Sequence, residues 1–214
     1  MRNESNDVMN PPALSHAASA SPAANLPDVS RTAASPTAED WSREAEAVLA
    51  RLRSARGAGV ARRDEVAALD GLALMQAMLR GELPYPHIAD TMDFLMVDVD
   101  RGRSVFQGRP QRRHLNPMGT VHGGWYATLL DSAVGCAVHT TMPVGRAYTT
   151  AELSVNLVRG AVVDGEPLRA IGQVIHSGRQ LATAEGRIVD AAGRVYAHAT
   201  TTCLVFPMPP AAEG

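Results

Sequence analysis

The stretch Asn116-Pro-Met-Gly-Thr-Val-His122-Gly123-Gly124, continuing as Trp125-Tyr-Ala-Thr-Leu-Leu-Asp131-Ser-Ala-Val-Gly-Cys-Ala-Val-His-Thr140, decides how this 214-residue chain is read. Its second part is the most helix-like segment of the C-terminal half. Trp125/Tyr126, Leu129/Leu130, Ala133/Val134 and Ala137/Val138 form an i, i+4 ladder, which predicts a helix over residues 121–140. Gly123, Gly124, Ala127, Ser132, Gly135 and Cys136 lie between the large residues. A helix apolar around most of its circumference is a buried one, and small side chains let a sheet approach it closely. Asp131 sits inside this apolar run, where a carboxylate is costly unless it is paired or used.

The first part is polar and irregular, and Pro110 and Pro117 mark residues 111–119 as a loop. Two glycines after His122, at a loop-to-helix junction, let a ligand approach the backbone. The first N–H groups of a helix have no intrahelical partner, and the dipole there favours negative charge. An oxyanion hole needs donors of that kind. His122 and Asp131 are nine residues apart, about 900° of rotation at roughly 100° per residue, so they point to opposite helix faces. If both act on one substrate, a second subunit must bring the partner group. The spacing therefore predicts an obligate dimer with shared sites.

Outward from this segment the period changes. Residues 94–99 and 103–109 read as two short strands joined at Asp100-Arg101-Gly102. After Pro143 and Gly145 the chain alternates: Thr150, Glu152, Ser154 and Asn156 fall on one face of a strand over 150–158, and Ala151, Leu153, Val155 and Leu157 on the other. Further strands are predicted over 167–176, 179–190 and 194–206, with turns at Ser177-Gly178 and Ala191-Ala192-Gly193. Such short connections force antiparallel neighbours, and the four strands read as a meander. One long apolar helix against one antiparallel sheet is an α+β layer solution.

On the N-terminal side, residues 39–55 read as a helix carrying Trp41, Ala45, Val48, Leu49 and Leu52, stopped by Gly57 and Gly59. Asp64 is the expected N-cap of a second helix with Val66, Leu69, Leu72, Met75, Met78 and Leu79, ended by Gly81, Pro84 and Pro86. These two short helices read as a packing appendage or oligomer contact. Residues 1–38 are rich in Ala, Ser and Pro and hold too little apolar surface to offset the entropy of ordering, so a disordered tail is expected. Glu4 and Asp7 stand where a secretory signal has basic residues, and no apolar run follows. The expectation is a three-part chain (1–38 tail, 39–82 helical extension, 83–208 α+β domain) in the cytoplasm.

Composition narrows the function. A net charge of -2 argues against a broad nucleic-acid face, and no run of apolar residues is long enough for a membrane span. All 20 basic residues are Arg, which excludes Schiff-base and P-loop lysine chemistry. Cys136 and Cys203 have no metal or redox spacing and read as buried reduced thiols. No Gly-x-Ser-x-Gly elbow exists.

Asn116, then His122-Gly123-Gly124, then Asp131 in Leu-Leu-Asp-Ser resembles the hot-dog fold acyl-CoA thioesterases, in particular the PaaI-like branch of the 4-hydroxybenzoyl-CoA thioesterase superfamily. The resemblance continues through Tyr148-Thr-Thr-Ala-Glu-Leu-Ser-Val-Asn-Leu, Val174-Ile-His-Ser-Gly-Arg and Gly193-Arg-Val-Tyr-Ala-His, and covers about residues 85–206. It implies an antiparallel sheet wrapped around one long central helix, and hydrolysis of an aryl-, short- or medium-chain acyl-CoA without metal or other cofactor. It implies Asp131 as general base or nucleophile and the Gly123 backbone N–H as the group polarising the carbonyl. Asn116 and His122 would orient the carbonyl or water, and Thr150 would help hold the water. It further implies Gly124, Arg159, Gly160, Ser177, Gly178 and Arg179 as contacts for coenzyme A, Arg suiting phosphate by charge and geometry. Asp131 and Thr150 of one subunit would face Asn116 and Gly123 of the other, in a homodimer or a dimer of dimers. A non-catalytic acyl-CoA-binding protein and a hot-dog dehydratase or hydratase are the alternatives. Trp125 and Tyr126 read as core or acyl-pocket wall. Glu152, His139, His176 and His198 read as solvent or edge positions.

Overall fold

The computed structural model describes residues 36–208, so the expected tail lies outside the described residues apart from its last three. Four helical segments come first: α1 (Ala38–Ser54), α2 (Arg63–Val66), α3 (Gly71–Arg80) and α4 (Ile88–Met92). Thr37 caps α1 through a capping box with Asp40. The single second helix expected from Asp64 onward is instead broken in two. Asp70, not Asp64, caps the apolar piece, its carboxylate accepting the Ala73 N–H at 2.8 Å. Gly71 explains the break. Its N–H donates to Met142 O at 2.8 Å, and a side chain there would run into the carbonyl of His139.

The remaining elements are β1 (Phe94–Asp100), β2 (Arg103–Gly108), a 3-10 turn at Arg112–His114, α5 (Gly123–His139), β3 (Arg146–Leu157), β4 (Leu168–Ser177), β5 (Leu181–Val189) and β6 (Val195–Pro207). They form one six-stranded antiparallel sheet in the order β1-β2-β4-β5-β6-β3. The predicted meander holds for β4-β5-β6 only. β3 crosses to the far edge beside β6, because the ten residues that follow it carry the chain back to the middle of the sheet.

The sheet wraps around α5, the hot-dog arrangement. Leu129, Leu130, Ala133, Val134, Ala137 and Val138 are completely buried. The close approach expected from the small residues is carried by the sheet as well as the helix: a side chain at Gly172 would overlap the backbone of Ala133, and one at Gly186 the side chain of Val134. Ser104 donates its hydroxyl to Ala133 O at 2.6 Å. At the β1 edge of the sheet α1, α3 and α4 pack against β1, with Val48, Leu52, Tyr85 and Ala89 buried between them, and α3 also meets α5 through Gly71.

The alternation expected along the third strand does not hold, and the exception matters. The register between β3 and β6 shifts between Thr150, opposite Cys203, and Glu152, opposite Thr202. Ala151 is the extra residue of a β-bulge, which flips the parity of the strand. Tyr148 and Thr150 therefore face the helix together with Leu153 and Val155, while Glu152, Ser154 and Asn156 face out. Thr150 leaves the outer polar face and meets α5.

Candidate active site

The loop into α5 is closed by a bridge between Leu115 and Val121 and by its own side chains. Asn116 Oδ1 accepts the N–H groups of Met118 (2.9 Å) and Thr120 (3.1 Å), and its amide nitrogen donates to Thr120 Oγ1 at 2.8 Å. This is an Asx-type turn. His122 has extended backbone angles and is the N-cap of α5; its Nδ1 accepts the Gly124 N–H at 2.8 Å. The nine-residue rotation count therefore does not apply to His122, which stands outside the helix. What separates the two groups is distance along the axis. From Gly123 to Asp131 is eight residues, about 12 Å at 1.5 Å per residue. The Gly123 N–H has no hydrogen-bond partner among the described residues and opens the positive end of the helix dipole.

His114, which sequence reasoning passed over, holds this loop from behind, and Tyr126, expected as core or pocket wall, holds the loop after β3. His114 is buried, lies flat beside the Trp125 ring and gives its carbonyl to the His122 N–H at 2.8 Å. Its Nδ1 accepts the Gln111 N–H, so a neutral ring carries its proton on Nε2, which lies 3.3 Å from Asp93 Oδ2. Asp93 also pairs with Arg113. Tyr126 latches the other side, accepting the Ala161 N–H at 2.7 Å. No spacing marked these residues, since their partners lie on separate loops.

Further along α5, Thr150 donates its hydroxyl to Asp131 Oδ1 at 3.1 Å. Oδ2 takes no hydrogen bond from the described residues. One turn on, Tyr148 covers Gly135; a side chain at Gly135 would collide with the phenol oxygen. Burial raises the phenol pKa of Tyr148 well above its ordinary value. His139 lies against the Tyr148 ring, its Nε2 buried without a partner, and burial lowers its pKa. It is thus a half-buried residue packed on Tyr148 and not the solvent or edge position expected. Burial, reinforced by the charge of Asp131, pushes the Cys136 thiol up to about 12, which keeps it an inert thiol.

The residues expected to contact coenzyme A do not meet within one chain. Arg159 lies past the end of β3, over the Tyr196 ring and 3.4 Å from Val195 O. Ser177 and Arg179 lie at the other end: Ser177 shares a 2.7 Å hydrogen bond with Thr141, and Arg179 O accepts from Arg146, the first residue of β3. The twelve residues of β3 separate these groups by about 36 Å at 3.3 Å per residue. Among the described residues no group of three His, Cys, Asp or Glu could hold a metal ion, and no helix is long and apolar enough to cross a membrane.

A model of the thioesterase superfamily matches residues 118–197, the span from the loop through α5 to the start of β6. A solved phenylacetic acid degradation-related protein from Ralstonia eutropha is 30% identical, with 60% of this chain and 97% of that one covered at a TM-score of 0.55. The chain belongs to the thioesterase superfamily. Another similar structure, a Streptococcus mutans protein solved with acetyl-CoA, is 26% identical over 54% of this chain and 90% of its own, TM-score 0.50. A curated esterase-named protein of Caenorhabditis elegans is 31% identical over 49% of this chain. This chain spans 59% of that relative's length. α1 to α4 lie before the region matched by the superfamily model.

Proposed function

We propose that this thioesterase-superfamily chain hydrolyses an acyl-CoA to free acid and coenzyme A, with Asp131 as the reacting carboxylate. The observation that carries the reading is the Thr150–Asp131 hydrogen bond, made by the one carboxylate of α5 and requiring a bulge to exist. It fixes one carboxylate oxygen and leaves Oδ2 for chemistry. Oδ2 takes a proton from water as the water oxygen adds to the thioester carbonyl carbon, or attacks that carbon itself to give an anhydride that water then opens. The carbonyl oxygen becomes an oxyanion held by the Gly123 N–H. Collapse breaks the C–S bond, and the thiolate leaves and takes up a proton. The reaction so written uses no metal or other cofactor. Coenzyme A as the carrier is supported by the Streptococcus mutans relative, solved with acetyl-CoA.

The donor and the carboxylate come from two protomers. In one chain Gly123 lies beside Leu157 and Asp131 beside Thr150, at different points of β3. β3 is an edge strand of the sheet. Antiparallel pairing of two β3 edges, centred between Leu153 and Ser154, sets Thr150 opposite Leu157 of the partner subunit. That places the partner's Gly123 and Asn116 across from Asp131. The same pairing brings Arg159 and Gly160 of one protomer towards Ser177, Gly178 and Arg179 of the other, where Arg side chains suit the phosphates of coenzyme A. Gly124 lines the approach between them.

The test is release of coenzyme A from aromatic, short, medium and long acyl-CoAs, wild type against Asp131→Asn, with the two cysteines blanked if a thiol reagent is used. A loss of about 100-fold or more, about 2.7 kcal/mol of transition-state stabilisation, is expected. Equal turnover would remove Asp131 from the mechanism. No turnover on any substrate, with saturable binding intact, would make the chain an acyl-CoA binder. Single turnover in 18O-water tests the nucleophile route: label found in the Asp131 carboxylate requires an anhydride that water opens at the Asp131 carbon, whereas general-base attack puts label only in the released acid.

A further inference from the structure

Between the N-terminal helices and the hot-dog domain lies a cavity of about 80 Å³. Leu52, Met78, Leu79 and Ala89 wall it on the extension side; Phe106 of β2 and Cys136 of α5 wall it on the other. Interiors are normally packed with few voids larger than a water. A cavity lined without polar groups does not hold water, and an apolar guest is its natural occupant. An engineered apolar cavity of roughly 150 Å³ takes benzene, so this one fits a few carbons of an alkyl chain. Methionine side chains at its wall can give way to more.

The cavity and the proposed site share one helix, α5, which contributes Cys136 to the cavity wall and Asp131 to the site. Gly124, Thr128, Ser132 and Cys136 recur every four residues along α5 and are all only half-buried, the strip of the helix that its own sheet leaves uncovered. The two hydroxyls on it are already satisfied, Thr128 by Gly124 O at 2.8 Å and Ser132 by Thr128 O at 2.9 Å, so they present no unmet donor to an alkyl chain. Asp131 borders the strip beside Ser132, and Cys136 ends it at the cavity. From Asp131 to Cys136 is five residues, about 7.5 Å along the axis. The Asp131 charge bears on the Cys136 thiol across this gap.

We infer that the cavity takes the methyl end of the acyl chain, and that the N-terminal extension thereby sets the chain-length preference of the enzyme. The inference rests on the thioesterase reading and names its substrate class: a straight medium-length acyl group, whose carbonyl is at Asp131 and whose last carbons are under α3 and α4.

The test uses the full chain and two substitutions outside the reacting groups. Ala89→Leu fills the cavity; Met78→Ala enlarges it. kcat/KM is measured for saturated acyl-CoAs from acetyl to palmitoyl, with melting temperature as the check on folding. Ala89→Leu is expected to lower kcat/KM for the best medium-chain substrate by about tenfold, the effect of a few misfitted methylenes, and to leave acetyl-CoA within about twofold. Met78→Ala is expected to move the optimum to longer chains. Folded variants with an unchanged profile, or with an equal loss on every chain length, would overturn the inference. The second readout is thermal stabilisation by decanoate. If wild type turns over no acyl-CoA yet is stabilised by decanoate, and Ala89→Leu is not, the hydrolase reading falls and the cavity site stands. If decanoate stabilises neither protein and there is no turnover, both fall.

Discussion

On the loop that leads into α5, hydrogen bonds run between near neighbours: Asn116 to Met118 and Thr120, His122 to Gly124. Around Asp131 the bond runs between elements, from Thr150, 19 residues away and on the far edge of the sheet. The first half of the proposed site is therefore built locally, and its side chains are used in holding their own backbone. What it offers a substrate is a bare N–H. The second half exists only when helix and sheet are docked, and what it offers is a carboxylate oxygen left unpaired. In the proposed mechanism, then, one group of the motif acts through its fold and another acts directly.

The largest effect breaks the comparison apart physically. Asp131→Ala and Asn116→Ala are each expected to be nearly inactive. Mixed with subunit exchange, they should recover about a quarter of wild-type activity, since half of the symmetric dimers become hybrids with one intact site. No recovery despite verified exchange would confine the site to one protomer.

A smaller effect probes the tertiary half. Thr150→Val removes the hydroxyl that holds Asp131 and is expected to lower kcat about tenfold, a hydrogen bond to a charged group contributing about 1.5 kcal/mol or more. Thr150→Ser should restore it. An equal loss in both would point to packing on the bulge and not to the hydroxyl.

The local half responds differently. His122→Ala removes the N-cap of α5 and is expected to destabilise the fold by about 1 kcal/mol, a fall in melting temperature of about 2–4 °C, with kcat within about twofold. A large fall in kcat at unchanged melting temperature would assign His122 to the substrate.

The smallest effect sits at the far end of the same helix. Burial holds His139 below its ordinary pKa, so the folded state prefers the neutral ring. As pH falls through about 6.5, the unfolded chain takes up a proton that the folded chain refuses, and stability drops. His139→Phe keeps a ring against Tyr148 and should flatten the decline in the denaturant midpoint below that pH. Parallel slopes in both proteins would show that His139 is protonated with little penalty.

Much of this was legible in the sequence. The i, i+4 ladder announced α5, the turns announced β4-β5-β6, and Asp131 stood out as a carboxylate in apolar surroundings. What stayed hidden depends on pairing. Period-two counting put Thr150 outside because a bulge leaves no mark on one strand read alone; only the register against β6 shows Ala151 as the extra residue. The place of β3 at the sheet edge was hidden for the same reason, as was the Asp93–His114 support behind the loop. The break before α3 was concealed by an unbroken apolar period, since Gly71 is dictated by the carbonyl of His139, far away in the chain.

Gly71 also ties the extension to the end of α5. Its missing side chain admits the last turn of α5, and its N–H holds the carbonyl of Met142 just beyond. Neither partner can be redrawn alone. A substitution in the extension at this point displaces the helix that carries Asp131, and a change at the end of that helix leaves the extension without its seat. The extension and the helix that carries Asp131 are fitted to each other as one piece.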